Sequence, residues 1–170
     1  MQENELAVLK ADILAQRQAI ERVFALLEER SKGLAPGNPE KLEGVAYQLH
    51  NSYSAIEDLL KLIASYFENN VSNTSHWHSL LLQRMTQSID GVRLAVISTE
   101  SYGLLNSLRA FRHFFDMLMG FPFREKEPEA LALIRVESSL MEVKFDSIRV
   151  KLDLMEVKLD SIGVESSWLF

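Results

Sequence analysis

The sequence predicts an all-α protein: an up-and-down antiparallel helical bundle of four to five helices, followed by a helical tail that contains repeats. Three observations predict it. Apolar residues recur three and four apart through most of the first 120 positions, glycine and proline are sparse and clustered, and the last 37 residues repeat with a period of 14. The first pattern is that of helices with one buried face, and the second leaves few places where helices can stop. A chain of 170 residues with 47% hydrophobic content can bury a core without cross-links. The expected organisation is a bundle over residues 1–125 and a tail over residues 126–170.

The first helix is expected from about Asn4 to Ser31, with Leu6, Leu9, Ile13, Ile20, Val23, Phe24 and Leu27 inward. It stops at GLAPGNP. Asn38 before Pro39 reads as an N-cap with proline at the first helical position. That opens a second helix to Glu68, whose stripe is Leu42, Val45, Leu49, Ser52, Ile56, Leu60, Ile63 and Phe67. After the polar run NNVSNTS a short helix is expected from His76 to Ser88, with Leu80, Leu81 and Met85 inward. GVRLAVIS then reads as a buried connector. Ser98 caps a fourth helix, Thr99 to Met119, with Glu100 in the first turn, where the helix dipole favours negative charge. Its core face is Leu104, Leu108, Phe111, Phe115 and Leu118, and Gly120 and Pro122 end it.

The tail repeats IRVESSLMEVKFDS from Ile134, IRVKLDLMEVKLDS from Ile148 and a partial IGVESSWLF from Ile162. Fourteen is two heptads. Met141, Phe145, Ile148, Leu152, Met155, Leu159 and Ile162 keep the spacing of a coiled-coil seam, whereas Val143, Val150 and Val157 fall outside it. A duplicated appendage and a dimerisation tail both fit.

Composition narrows the function. The chain has no cysteine, which excludes disulfides, thiolate metal sites and cysteine nucleophiles and points to a reducing compartment, the cytoplasm. Asp12 and Gln16 interrupt the first apolar run, so no signal peptide is read there, and no segment has the length of a membrane span. A net charge of −6 argues against bulk coating of nucleic acid, while leaving room for a local basic patch. His76 and His78, at i and i+2, diverge on a helix, so no shared metal ion is expected. His50 reads as a hydrogen-bonded histidine at the edge of the core. No phosphate loop, paired-carboxylate motif or Ser/His/Asp spacing is present, and no cofactor is expected.

RAFRHFFDMLMG stands apart, because Arg109, Arg112 and His113 lie on a helix otherwise packed with aromatics. A guanidinium beside apolar surface suits bidentate contact with phosphate, as at an RNA-binding site. The plainer reading is an exposed polar face with an Arg112 to Asp116 pair at i,i+4, worth only about 0.2–0.5 kcal/mol.

The run QLHNSYSAIEDLLKLIA, then HWHSLLLQRM, GVRLAVIS and LRAFRHFF with a glycine before Phe121, resembles the HepT-like branch of the HEPN helical domains over about Leu42 to Phe121. The resemblance implies a dimeric four- to five-helix bundle, a toxin encoded beside a small nucleotidyltransferase antitoxin. It also implies metal-independent RNA cleavage through an Arg-x4-His-x-Tyr motif. In that motif the arginine holds the scissile phosphate, the histidine moves protons at the ribose 2′-hydroxyl, and the tyrosine is where the antitoxin attaches AMP. The arginine falls on Arg112, with His113 beside it as in this branch; Arg109, from the polar face of the same helix, is expected to contact RNA with Arg112. The catalytic histidine position is Met117, the position before it Asp116 and the tyrosine position Met119. Thioethers neither carry protons nor accept AMP, and Asp116 repels phosphate. His113, about 100° round the helix from Arg112, is the nearest substitute on that helix. The expectation is a toxin-family ribonuclease with activity weakened or lost; the alternative is a non-catalytic binding protein that dimerises or holds the nucleotidyltransferase.

Overall fold

In the computed structural model, which describes residues 3–35, 38–68, 77–118, 132, 134 and 135, the protein is an all-α bundle. Among the described residues four helices are delimited: α1 (Glu3–Ser31), α2 (Pro39–Glu68), α3 (Trp77–Met85) and α4 (Thr99–Leu118). Of the expected tail, residues 126–170, the described ones are Ala132 and the first two repeat positions, Ile134 and Arg135. Ile134 is fully buried in the core, and Arg135 donates to the Leu34 carbonyl at 2.9 Å.

Helix ends fall where the capping chemistry puts them. The Asn38 side chain accepts from the Lys41 amide at 3.0 Å, and its carbonyl from the Leu42 amide at 3.1 Å. Ser98 does the same for α4, its hydroxyl accepting from the Ser101 amide at 3.1 Å and its carbonyl from the Tyr102 amide at 2.8 Å. Each cap satisfies amides that the first helical turn leaves without a partner. Gly33, at φ +68°, carries the chain out of α1 in the left-handed conformation that side chains disfavour.

The long second helix is central. It packs antiparallel to α1, the Gln16 side chain reaching the Ala55 carbonyl at 2.9 Å, and it also meets α3 and α4. Contact on several sides explains why its buried set is wider than one stripe: besides Leu42, Val45, Leu49, Ile56, Leu60 and Ile63 it buries Ala46, Tyr53, Leu59 and Ala64, with Phe67 partly buried. The α1 stripe is buried as expected except Val23, which is half-buried.

Two local expectations are corrected. In α3 the inward residues are Leu81, Leu82 and Met85, while Leu80 is exposed. Three consecutive leucines leave the phase ambiguous, and the observed i, i+1, i+4 set continues a row that begins at His78. The helix also ends at Met85, before Ser88, because the Val96 and Ile97 amides take the Met85 carbonyl at 2.9 and 3.2 Å. In the connector, Val96 and Ile97 are buried but Val92 and Leu94 face out, and the charged Arg93 is the residue turned inward. A tight turn at Gly91 (φ +71°) pairs Ile89 with Arg93, which sets this inversion.

The inverted arginine has a full set of partners. Arg93 Nε donates to Glu68 Oε1 at 2.6 Å, Nη1 to the Gln87 carbonyl at 2.8 Å and the Leu94 carbonyl at 3.2 Å, and Nη2 to the Arg84 carbonyl at 3.0 Å. Glu68 also pairs with Arg84. One guanidinium thus fastens the α3–α4 connector to the end of α2, and the buried charge is tolerated because it is paired and hydrogen-bonded.

Candidate functional site

The polar centre of the bundle is the Glu57 carboxylate, whose side chain is 3% exposed. Glu57 follows Ile56 on α2 and belongs to the row Leu49, Tyr53, Glu57, Leu60 and Ala64, whose apolar members are core residues. A carboxylate in such a row needs partners, and four side chains supply them. Tyr53, one turn earlier, donates its hydroxyl to Oε1 at 3.0 Å. His78 Nδ1 from α3 meets the same oxygen. Lys61, one turn later, brings Nζ to 3.5 Å from Oε2, and Arg112 of α4 brings Nη1 to 3.5 Å from it.

The three basic side chains are not sealed in. Lys61, His78 and Arg112 are each about one-third exposed, so the carboxylate lies beneath a partly solvated basic rim. Trp77 stiffens that rim: its ring centroid is 3.7 Å from that of His78, and Lys61 Nζ lies 4.5 Å from the indole centroid. Asp58 draws on Lys61 from outside at 3.0 Å. With Arg109 counted, three fixed cations stand against two carboxylates, leaving one positive charge before any proton on His78.

Burial pushes the Tyr53 phenol well above the ordinary tyrosine range, and the Glu57 charge and hydrogen bond push it the same way. The positive charges of Arg109 and Arg112 oppose the shift. Tyr53 is therefore a permanent donor to Glu57 at working pH.

Of the residues expected to form a site, Arg112 is brought to this cluster by Glu57, while Arg109 has its Nε on Asn106 Oδ1 at 3.1 Å on the same helix. His113, Asp116 and Met117 belong to α4, but their side chains lie outside the described residues, as does the proposed Arg112 to Asp116 pair. Met119 lies outside them altogether, as does His76. His50 packs its ring 5.3 Å from that of Phe115 at the edge of the core. Among the described residues no group of three or more acidic or histidine side chains is arranged to hold a metal ion.

Sequence reasoning missed Glu57, Tyr53, Lys61 and the inward role of His78. A signal was present. His78, Leu81, Leu82 and Met85 keep the i, i+3, i+4, i+7 spacing of one helical face, which puts the imidazole inside, and Tyr53 and Glu57 are one turn apart on the α2 row.

A family model described as HepT-like protein matches residues 44–147, more than half of the chain, and spans the segments that carry Glu57, His78 and Arg112. No curated protein and no solved structure matches the chain.

Proposed function

The chain belongs to the HepT-like family, and from that premise we propose that it is the toxin-side member of a prokaryotic toxin–antitoxin pair whose ligand is single-stranded RNA, gripped by Arg112 and Arg109. The observation that carries this reading is the state of Arg112. It is anchored by Glu57 through Nη1 at 3.5 Å, yet one-third exposed, and a guanidinium has five N–H donors in a planar fork suited to a phosphodiester.

The family's cleavage motif is incomplete in this sequence. Met117 stands at the proton-carrier position and Met119 at the tyrosine position, and neither side chain moves a proton. Cleavage that relies on α4 alone is therefore weakened or lost. Those two thioethers favour a second reading, a non-catalytic binding protein that keeps the homodimer and the contact with a nucleotidyltransferase antitoxin in the cytoplasm. Among the described residues no helix is long and apolar enough to cross a membrane, in keeping with either.

RNA binding tests the first reading. Titrating a labelled single-stranded oligoribonucleotide with the full chain is expected to give saturable binding that Arg112→Ala weakens by at least about tenfold, the loss of one charge-assisted contact. Equal affinity of the two proteins overturns it. Co-expression with a small nucleotidyltransferase of the antitoxin type, followed by co-purification of the two chains without RNA affinity, is the outcome that selects the second.

A further inference from the structure

We infer that His78 is the proton carrier of this site, taking the part that Met117 cannot; the inference rests on the proposed RNA-directed function. It is carried by the way Glu57 divides its carboxylate. His78 Nδ1 meets Oε1, while Arg112 Nη1 stands 3.5 Å from Oε2, so the imidazole and the guanidinium flank one buried group from two helices. A carboxylate accepts and does not donate, so the neutral imidazole keeps its proton on Nδ1 and presents a bare Nε2. The ring's own geometry turns Nε2 away from Glu57, and the side chain is 30% exposed. Trp77, its ring tilted 31° against the imidazole at 3.7 Å between centroids, limits its rotation. Glu57 is a positioning residue here, because it orients the histidine and the arginine together without reaching the substrate.

With a phosphodiester on Arg112, the chemistry balances without a metal ion or cofactor. Nε2 of neutral His78 takes the proton of the ribose 2′-hydroxyl, and the 2′ oxygen attacks phosphorus. The bond from phosphorus to the 5′ oxygen breaks, and that oxygen takes a proton from a water molecule. The hydroxide left behind is neutralised by the proton held on His78, which restores the neutral imidazole. The products are a 2′,3′-cyclic phosphate and a 5′-hydroxyl. Arg112 offsets charge on the non-bridging oxygens as they approach the transition state.

Three full-length proteins test this with end-labelled single-stranded RNA in the presence of EDTA: the unaltered chain, His78→Gln and Arg112→Ala, each checked for folding by thermal melt. Glutamine can still donate to Glu57 but takes no proton. The expected result is cleavage by the unaltered chain to a cyclic-phosphate end, with His78→Gln at least about 100-fold slower, the usual span of a lost acid–base group. RNA affinity of that variant should stay within about threefold, the pattern of an interaction made only in the transition state. His78→Asn serves the same comparison if the glutamine protein melts early. Cleavage by His78→Gln at the unaltered rate overturns the inference, as does Arg112-dependent RNA binding by the unaltered chain with no cleavage; in both cases the RNA-directed function stands. Binding that is indifferent to Arg112 overturns that function and this inference together.

Discussion

Arg112 Nη1 lies 3.5 Å from Oε2 of Glu57, an ion pair between α4 and α2 that joins positions 55 residues apart in the chain. Because the carboxylate is buried and the guanidinium is not, the pair is asymmetric: the glutamate depends on its partners, while each cation retains access to water. Replacing Glu57 by alanine removes the shared acceptor of Tyr53, Lys61, His78 and Arg112. The expected cost is about 1–3 kcal/mol of unfolding free energy, the range for losing hydrogen bonds to a charged group. Glu57→Gln should cost less, since an amide oxygen still accepts. Urea unfolding monitored by circular dichroism checks both, and an unchanged midpoint for Glu57→Ala contradicts the proposed centre.

Tyr53 makes the alkaline stability of the fold sensitive to one hydroxyl. Its folded-state value is raised by burial and by Glu57, whereas the unfolded phenol ionises near the ordinary value of about 10. Below that value the contribution is fully present; above it the unfolded chain releases a proton that the folded chain keeps, so stability falls as pH rises. Tyr53→Phe should flatten this loss in the pH 10–11 range, at a neutral-pH cost of about 1 kcal/mol for the missing hydrogen bond. Parallel stability curves for the two proteins through that range contradict the assignment.

Arg93 offers a test of the connector. Its side chain and that of Glu68 are 3% and 2% exposed, so Arg93→Met should cost about 3 kcal/mol, the low end for breaking a buried pair, because it leaves the buried carboxylate to the half-exposed Arg84. The double change Arg93→Met with Glu68→Leu should recover part of that loss. A double variant as unstable as the sum of the single ones shows that the two side chains act independently.

The motif alignment is tested by restoration. Asp116→Arg, Met117→His and Met119→Tyr together should increase growth inhibition on expression, because they rebuild the proton carrier and remove a charge that repels phosphate. No gain over the unaltered chain counts against placing the family arginine on Arg112.

What the sequence disclosed, and what it hid, follows from the range of the interactions. Asn38 and Ser98 act on amides three and four residues away, so the starts of α2 and α4 were legible, and so was most of the stripe that α1 buries. Arg93 and Glu57 were hidden because a charged side chain is buried only against a partner, and theirs lie 25, 21 and 55 residues distant. The connector misled for the same reason: GVRLAVIS looks uniformly apolar, yet a turn at Gly91 and the Glu68 carboxylate draw Arg93 inward and leave Val92 and Leu94 outside. In α3 the choice among Leu80, Leu81 and Leu82 was decided by His78, whose own place depends on Glu57. Arg109 and Arg112 were visible as a patch, but the helices that complete their surroundings were not.

A nuclear magnetic resonance titration of the full chain with a 2′-O-methyl single-stranded oligoribonucleotide, which binds without being cut, addresses the Glu57-centred rim most directly. Side-chain signals of Arg112 and His78 are predicted to move along one saturation curve as the phosphodiester settles between them. Saturation of the oligonucleotide elsewhere on the protein, with both signals unmoved, would contradict an RNA site at this carboxylate.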